Sequence, residues 1–412
     1  MADAFQYHSD HLCCEQVDLA RIAEEVGTPT YVYSGRALED AVRGFDDAFR
    51  PVPHHVCYGI KANSNLTLLR RFLGWGIGLD AVSGGELYRA LTAGADPRQV
   101  ILSGLGKTRD EIRYGLDSDI LFFSVESREE LQTIDQIARE SGRVARVVLR
   151  TNPNVDARTH PYISTGLKSH KFGIAFEDAG PLALEGHRMG GIEVVGIGCH
   201  IGSQITELDP FESAASSIVT LARELLADGV GLRYLDFGGG LGISYNGETP
   251  PTPTAYAGVL MRVTSGLDIT LVLEPGRVIV GSAGALVARV VRRKSQGAKQ
   301  FVIVDAGMND LIRPPLYGSF HALQPVRPRG ETEVIDLVGP ICESTDFLAK
   351  DREVSRMEEG DLVAVLAAGA YGAALSSNYN SRPRPAEVLV DGDSFSVIRR
   401  RETYDDLIRL ER

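Results

Sequence analysis

From about residue 54 to residue 276, short β-branched and aromatic runs alternate with segments whose apolar residues recur every three or four positions. The runs end near Lys61 (HHVCYGIK), Asp80 (GIGLDA), Ser103 (VILS), Ser124 (ILFFS), Arg150 (ARVVLR), His200 (VVGIGCH), Phe237 (LRYLDF) and Glu274 (ITLVLE). Between them lie amphipathic segments such as Leu66–Trp75, Gly85–Ala93, Arg109–Leu116, Glu129–Glu140 and Phe211–Leu226. Eight strand–helix units over this span predict an α/β chain built on a (β/α)8 TIM-like barrel, whose usual size is about 250 residues. A doubly wound open sheet carries the same local pattern and stays open as an alternative.

After Gly276 the rhythm changes. Ala285–Arg292, Gln300–Asp305, Glu333–Val338, Asp361–Ala367, Glu387–Val390 and Ser394–Arg399 follow one another as strands, with the Asp391-Gly392 turn signal and a helix only at Tyr404–Leu410. A second, mainly antiparallel β-sheet domain follows from that pattern. The barrel is expected over residues 35–281 and the β-rich domain over 1–34 and 282–412, with the Tyr31–Tyr33 strand pairing into the later sheet. The stretch Thr151–Lys171 is longer than ordinary connections and is expected to be a mobile active-site loop.

Composition narrows the function classes. Hydrophobic residues at 43% and charged residues at 24% suit a folded globular chain. A net charge of −12 argues against nucleic acid and anionic membrane as partners, since both need a basic footprint. No run of 18 apolar residues reads as a membrane span, and Met1–Leu12 does not read as a signal peptide. The five cysteines form no C-x-x-C pair, so reduced thiols and a cytoplasmic setting are expected.

Reactive groups of such barrels sit at the carboxyl ends of the strands. Lys61, Asp80, Arg150, His200 and Glu274 stand at those ends and would converge on one mouth, although any one of them alone reads as an ordinary solvated charge. Gly238-Gly239-Gly240 follows the seventh strand and Gly276-Arg277 the eighth, where backbone N–H groups of such barrels commonly cradle phosphate. Leu105-Gly106-Lys107-Thr108 is not a P-loop, because Ile101 stands where that motif needs glycine. Cys199 and His200 are neighbours on a strand and point to opposite faces, so no metal is expected. A lysine, a phosphate cradle, a carboxylate and a flat imidazole together suit pyridoxal 5'-phosphate, the lysine forming a Schiff base and the carboxylate, Glu274, facing the pyridine nitrogen.

Tyr58-Gly59-Ile60-Lys61-Ala62-Asn63 resembles the Schiff-base motif of the fold-type III pyridoxal phosphate decarboxylases, which share their barrel with alanine racemase. His200-Ile201-Gly202-Ser203, Asp236–Gly240 and Glu274–Arg277 follow in that family's order. Cys342-Glu343-Ser344-Thr345-Asp346, Gly369–Gly372 and Ser377–Arg382 are similar to motifs of its diaminopimelate decarboxylase branch, and the resemblance runs from about residue 28 to residue 400. It implies pyridoxal phosphate on Lys61, with Asp80, His200, Ser203, Gly239, Gly240, Glu274, Gly276, Arg277 and Tyr371 around the cofactor. It implies a small amino-acid substrate held by Arg277, Arg313, Tyr317, Glu343 and Tyr371. Cys342 would be the proton donor, contributed across the interface of a homodimer with shared sites. The implied reaction is decarboxylation of meso-2,6-diaminopimelate to L-lysine and CO2, the last step of lysine biosynthesis. A related decarboxylase acting on D-lysine, ornithine or a siderophore or polyamine precursor is the first rival, and a non-catalytic cofactor carrier is the second. Arg313 discriminates the first, because a diamine-forming enzyme needs no guanidinium for a distal carboxylate.

Overall fold

The computed structural model of the chain describes residues 4–156 and 171–412. Most of the expected loop at Thr151–Lys171, residues 157–170, lies outside the described residues. The described residues form two compact units, one of 42–243 and 249–276, the other of 1–41, 244–248 and 277–412. These limits differ by a few residues from 35 and 281, and Ser244–Glu248 goes with the second unit.

The first unit is a closed ring of eight parallel strands: His54–Gly59, Gly78–Ala81, Val100–Leu102, Phe122–Val125, Ala145–Asn152, Ile192–Gly198, Tyr234–Asp236 and Thr270–Leu273. The last strand pairs with the first, Leu273 opposite Val56, and this closure excludes the open sheet. Each strand comes from one of the eight runs read in the sequence. Their near-continuous burial follows from being covered on both faces, inside by packed side chains and outside by helices. The helices start where capping side chains satisfy otherwise orphaned N–H groups: Asn65, Ser83, Ser127 and Thr252 each accept from the first turn, and Thr108 with Glu111 completes a capping box. Helices Phe176–His187 and Pro253–Val263, absent from the segments singled out in the sequence, complete the outer layer.

Lys107 has a structural role. Its side chain is 2% exposed, and the ammonium donates to the carbonyls of Gly104 and Ser124 and to Glu130 at 2.6–2.8 Å. It ties the loop after the third strand to the end of the fourth and to helix Arg128–Glu140, which leaves no free amine for a nucleotide phosphate.

The second unit is built on a sheet ordered Phe347–Ser355, Thr332–Val338, Lys299–Val304, Gly284–Gln296, Thr30–Ser34, Ala386–Asp391 and Ser394–Arg399. Leu362–Val365 pairs antiparallel with Gly284–Gln296. Thr30–Ser34 lies between two later strands, antiparallel to Gly284–Gln296 and parallel to Ala386–Asp391, so the early strand does join the late sheet. The sheet is mainly antiparallel, with a further parallel pair at Lys299–Val304 and Thr332–Val338. Phe347–Ser355 and the hairpin Phe5–His8 with His11–Cys14 were not legible in the sequence, since both carry charged or polar residues that blur the alternation.

Candidate active site

The carboxyl ends of the barrel strands carry an ion-rich cluster. Lys61 follows the first strand in a short 3-10 turn, Ile60–Ala62, and its Nζ lies 3.0 Å from the carboxylate of Asp80 at the end of the second. Asp80 is fully buried and also accepts from Ser103 Oγ at 2.5 Å, and that hydroxyl lies 3.4 Å from Glu274 Oε1. A lysine, two carboxylates and a serine from four different strand ends are thus linked.

Glu274 is placed by backbone on both sides: its N–H donates to the Gly238 carbonyl at 2.8 Å, and Gly59 N–H donates to the Pro275 carbonyl at 3.0 Å. Glu274 and His200 are half-buried at the mouth, with protein packed closely around both. Burial raises the Glu274 carboxyl well above the usual range, and Asp236 and Asp80 push it further. Asp236, which accepts from Gly238 N–H at 2.8 Å, is pushed up to about 7, chiefly by burial and then by Asp80, with Gly238 acting against it. Three carboxyls crowd this site, so a cation placed beside Glu274 would be strongly favoured.

His200 accepts from the Gly239 N–H through Nδ1 at 3.1 Å, which assigns its proton to Nε2. Burial, and after it the charges of Arg150 and Lys61, lowers its pKa well below the usual value, so the ring is neutral. Arg150 pairs with the fully buried Glu126 at 2.9 Å, and the other Glu126 oxygen accepts from Gly173 N–H at 3.0 Å. The triple glycine is required by space: a Cβ on Gly239 would collide with the Glu274 carbonyl, and one on Gly240 would come within 2.5 Å of the Gly202 carbonyl. Gly238 and Gly240 also take φ of +61° and +116°. Backbone alone therefore borders this side of the mouth, with Ser203 on the neighbouring loop.

Gly276 is the last residue of the barrel unit; the remaining predicted site residues lie in the second unit. Arg277 and Arg313 are both buried, and their guanidiniums lie 5.8 and 4.7 Å from the Tyr245 ring centroid. Arg277 also lies 4.9 Å from the Tyr371 ring and donates to Tyr245 Oη at 2.8 Å. Tyr317 ends the short helix Arg313–Tyr317. Cys342 and Glu343 are exposed on a loop. Cys342 N–H donates to Asn380 Oδ1 at 2.8 Å, and the Tyr379 hydroxyl donates to the Glu343 carboxylate. Asp346 fixes this loop by accepting from Ile341 N–H and Met308 N–H.

Sequence reading missed Ser103, Asp236, Glu126, Tyr245 and His321 as parts of these arrangements. Ser103 and Asp236 carry the same signal as Lys61, a polar residue ending a barrel strand. Tyr245 and His321 sit in connections with no motif.

The donor set fits a phosphorylated pyridine aldehyde: an amine in Lys61, a carboxyl needing a cation in Glu274, a flat neutral imidazole and a glycine-lined backbone. Residues 36–281 match the family model described as pyridoxal-dependent decarboxylase, pyridoxal binding domain. The chain belongs to the pyridoxal-dependent decarboxylases, and the relatives it is similar to narrow the branch. A diaminopimelate decarboxylase from Pseudomonas aeruginosa is 51% identical over 406 residues, 98% of each chain. The crystal structure of diaminopimelate decarboxylase from Helicobacter pylori, complexed with L-lysine, has a TM-score of 0.93 at 42% identity and covers 96% of this chain and 99% of its own. That of the M. jannaschii enzyme, in co-complex with L-lysine, has a TM-score of 0.95 at 36% identity, covering 99% and 98%. The family branch is therefore that of the diaminopimelate decarboxylases.

Proposed function

We propose that the chain decarboxylates meso-2,6-diaminopimelate to L-lysine and CO2 with pyridoxal 5'-phosphate, as the last step of lysine biosynthesis. The observation that carries this reading is Glu274, a carboxyl among two other buried carboxyls at the barrel mouth, where a protonated pyridine nitrogen relieves the crowded negative charge. When bound, the cofactor supplies an electron sink for the pair left behind as CO2 departs. Glu274 keeps that sink strong by holding a proton at the ring nitrogen, whereas an arginine, as in the racemases of this barrel, would weaken it.

The other roles follow from the family motifs and the chemistry of each group. Lys61 would hold the cofactor, and Asp80, 3.0 Å from its Nζ, positions that amine at the barrel mouth. The His200 ring, oriented by the Gly239 N–H, would pack against the cofactor ring. Ser203, Gly239, Gly240, Gly276 and Tyr371 bind the phosphate. Arg277, Arg313, Tyr317, Glu343 and Tyr371 hold the substrate, with guanidinium meeting the distal carboxylate and carboxylate meeting the ammonium. The Cys342 thiol delivers a proton to the carbon that loses CO2 and regains one from solvent, consistent with its exposure.

We infer a homodimer whose sites are shared between subunits, and a cytoplasmic location in keeping with five unpaired thiols. Among the described residues no helix is long and apolar enough to cross a membrane. Mixing Lys61→Ala and Cys342→Ala proteins restores part of the activity if sites are shared; no recovery with verified subunit exchange refutes the sharing. For the reaction, cofactor-loaded protein should release CO2 from diaminopimelate, and Lys61→Ala should abolish both turnover and the visible absorbance of the bound cofactor. Consumption of D-lysine or D-ornithine with no CO2 from diaminopimelate would overturn the assignment. Arg313→Ala should lose activity on diaminopimelate far more than any activity on D-lysine.

A further inference from the structure

We propose that His321 is a specificity-determining positioning residue: it holds the Arg313 guanidinium in place through a neutral acceptor, so that the arginine charge stays available for the distal carboxylate of the substrate. The inference rests on the reaction proposed above and goes beyond it, because no motif marked His321. The geometry is a relay of two hydrogen bonds. His321 is completely buried, its Nδ1 lies 2.8 Å from the Leu366 carbonyl, and its Nε2 lies 3.0 Å from Arg313 Nη1. A carbonyl can only accept, so Nδ1 carries the proton; a guanidinium can only donate, so Nε2 carries none. The Leu366 carbonyl thereby fixes the tautomer, and the tautomer creates the acceptor that orients the arginine.

The choice of acceptor matters. Arginine side chains have many rotamers, and most buried ones are held by carboxylates, which cancel their charge. Among the described residues no carboxylate lies within ion-pair distance of Arg313; His321 accepts from it, the face of Tyr245 lies against it, and Arg277 and Tyr371 stand near enough to act on its charge. Tyr245 stands edge-on to the His321 ring at 5.4 Å, closing the group, and the His321 carbonyl is itself held by Arg352 Nη1 at 3.1 Å. Burial, and then the Arg313 charge, lowers the His321 pKa to about 3, so the ring stays a neutral acceptor at working pH. A fixed, unneutralised guanidinium is what a carboxylate-bearing ligand requires and a simple diamine does not.

Two isosteric variants separate this role from a general packing role. Gln places its terminal amide where Nε2 stands and can still accept from Arg313. Asn reaches only the Nδ1 position, so it keeps the Leu366 bond and loses the arginine. In cofactor-loaded enzyme, His321→Asn should raise KM for diaminopimelate at least tenfold with kcat within about threefold, whereas His321→Gln should stay within about threefold in both. In a parallel titration of the cofactor absorbance, His321→Asn should weaken binding of L-lysine, which keeps a carboxylate, at least tenfold and leave cadaverine, which has none, unchanged. Equal KM values for wild type and both variants, or equal losses for L-lysine and cadaverine, would overturn the proposal. The titration needs no turnover, so it still decides the matter if the wild type releases no CO2 from diaminopimelate, a result that would instead refute the proposed reaction. Should His321→Asn not fold, His321→Leu serves in both measurements with the same expected and refuting results, and failure of both beside a well-folded, fully active His321→Gln already requires the Nε2-position acceptor.

Discussion

Asp310 offers a test in which structure, sign and size can all be worked out. Its carboxylate is buried, accepts from Gly307 N–H at 2.9 Å and from Asn309 Nδ2 at 3.0 Å, and faces the charges of Asp305 and Asp346 against that of Arg382. Burial is the largest influence and pushes the group from 3.8 up to about 7, so the folded chain holds a proton that the unfolded chain has released. A pKa raised in the folded state contributes stability that is complete below the unfolded value and is lost as pH rises to the folded value. The whole gap is worth about 4 kcal/mol, and the part between pH 5.5 and 7 about 2 kcal/mol. Asp310→Asn keeps an oxygen for Gly307, and its amide can donate to Asn309 Oδ1, which has no hydrogen-bond partner in the native chain, once that side chain turns over. The variant should therefore gain on the wild type as pH rises from 5.5 to 7 and hold the gain at higher pH. Thermal unfolding across this range would show the gain as roughly 4–8 °C for a unit of this size. A wild-type-to-variant difference that does not change with pH would refute the reasoning.

Lys107→Met should destabilise the chain by about 2–4 kcal/mol in denaturant unfolding, because the Gly104 and Ser124 carbonyls lose their donor and the half-buried Glu130 keeps only the Glu126 N–H; a loss under 1 kcal/mol would count against the lysine as a structural tie. Gly239→Ala should weaken cofactor binding at least tenfold in a spectroscopic titration, since the new Cβ collides with the Glu274 carbonyl, and unchanged binding would remove the spatial argument for that glycine. For His321, whose pKa is lowered to about 3, stability is present above the unfolded value near 6.5 and lost as pH falls below it. The stability of His321→Gln relative to wild type should accordingly improve by about 1.4 kcal/mol per pH unit between pH 6 and 4, and parallel pH profiles would contradict a histidine buried neutral.

The barrel was legible because its eight strands are short apolar runs, most of which end at a polar residue, and the same punctuation marked Lys61, Asp80, His200 and Glu274. Ser103 was read as a strand end and Asp236 as the start of a family motif, but neither was given a role in the chemistry inferred from sequence. The strand Phe347–Ser355 was hidden by Lys350, Asp351 and Arg352, which project from a sheet edge where alternation is not enforced by a core. His321 illustrates a deeper limit. Its importance depends on the Leu366 carbonyl on one side and Arg313 on the other, and only the folded backbone brings a residue 45 positions away to its Nδ1. Recognition of the family supplied Arg277, Arg313 and Cys342, while the supports that orient them belong to the particular packing of this chain.

The place of Thr30–Ser34 between Gly284–Gln296 and Ala386–Asp391 bears on how the chain is made. One of the first strands to leave the ribosome has both hydrogen-bonding edges committed to partners synthesised only after the whole barrel, one of them close to the end of the chain. Domains form as units during synthesis, so the barrel can close while Thr30–Ser34 still waits with its apolar Tyr31, Val32 and Tyr33 uncovered. Pairing over such sequence distances is slow, and an exposed β-rich segment is prone to pairing with other chains in the interval. Truncation even of the last 30 residues would therefore harm more than the carboxyl terminus: it would strand the amino-terminal strand without its parallel neighbour, and the expected result is a chain that aggregates during expression rather than one that is merely less stable.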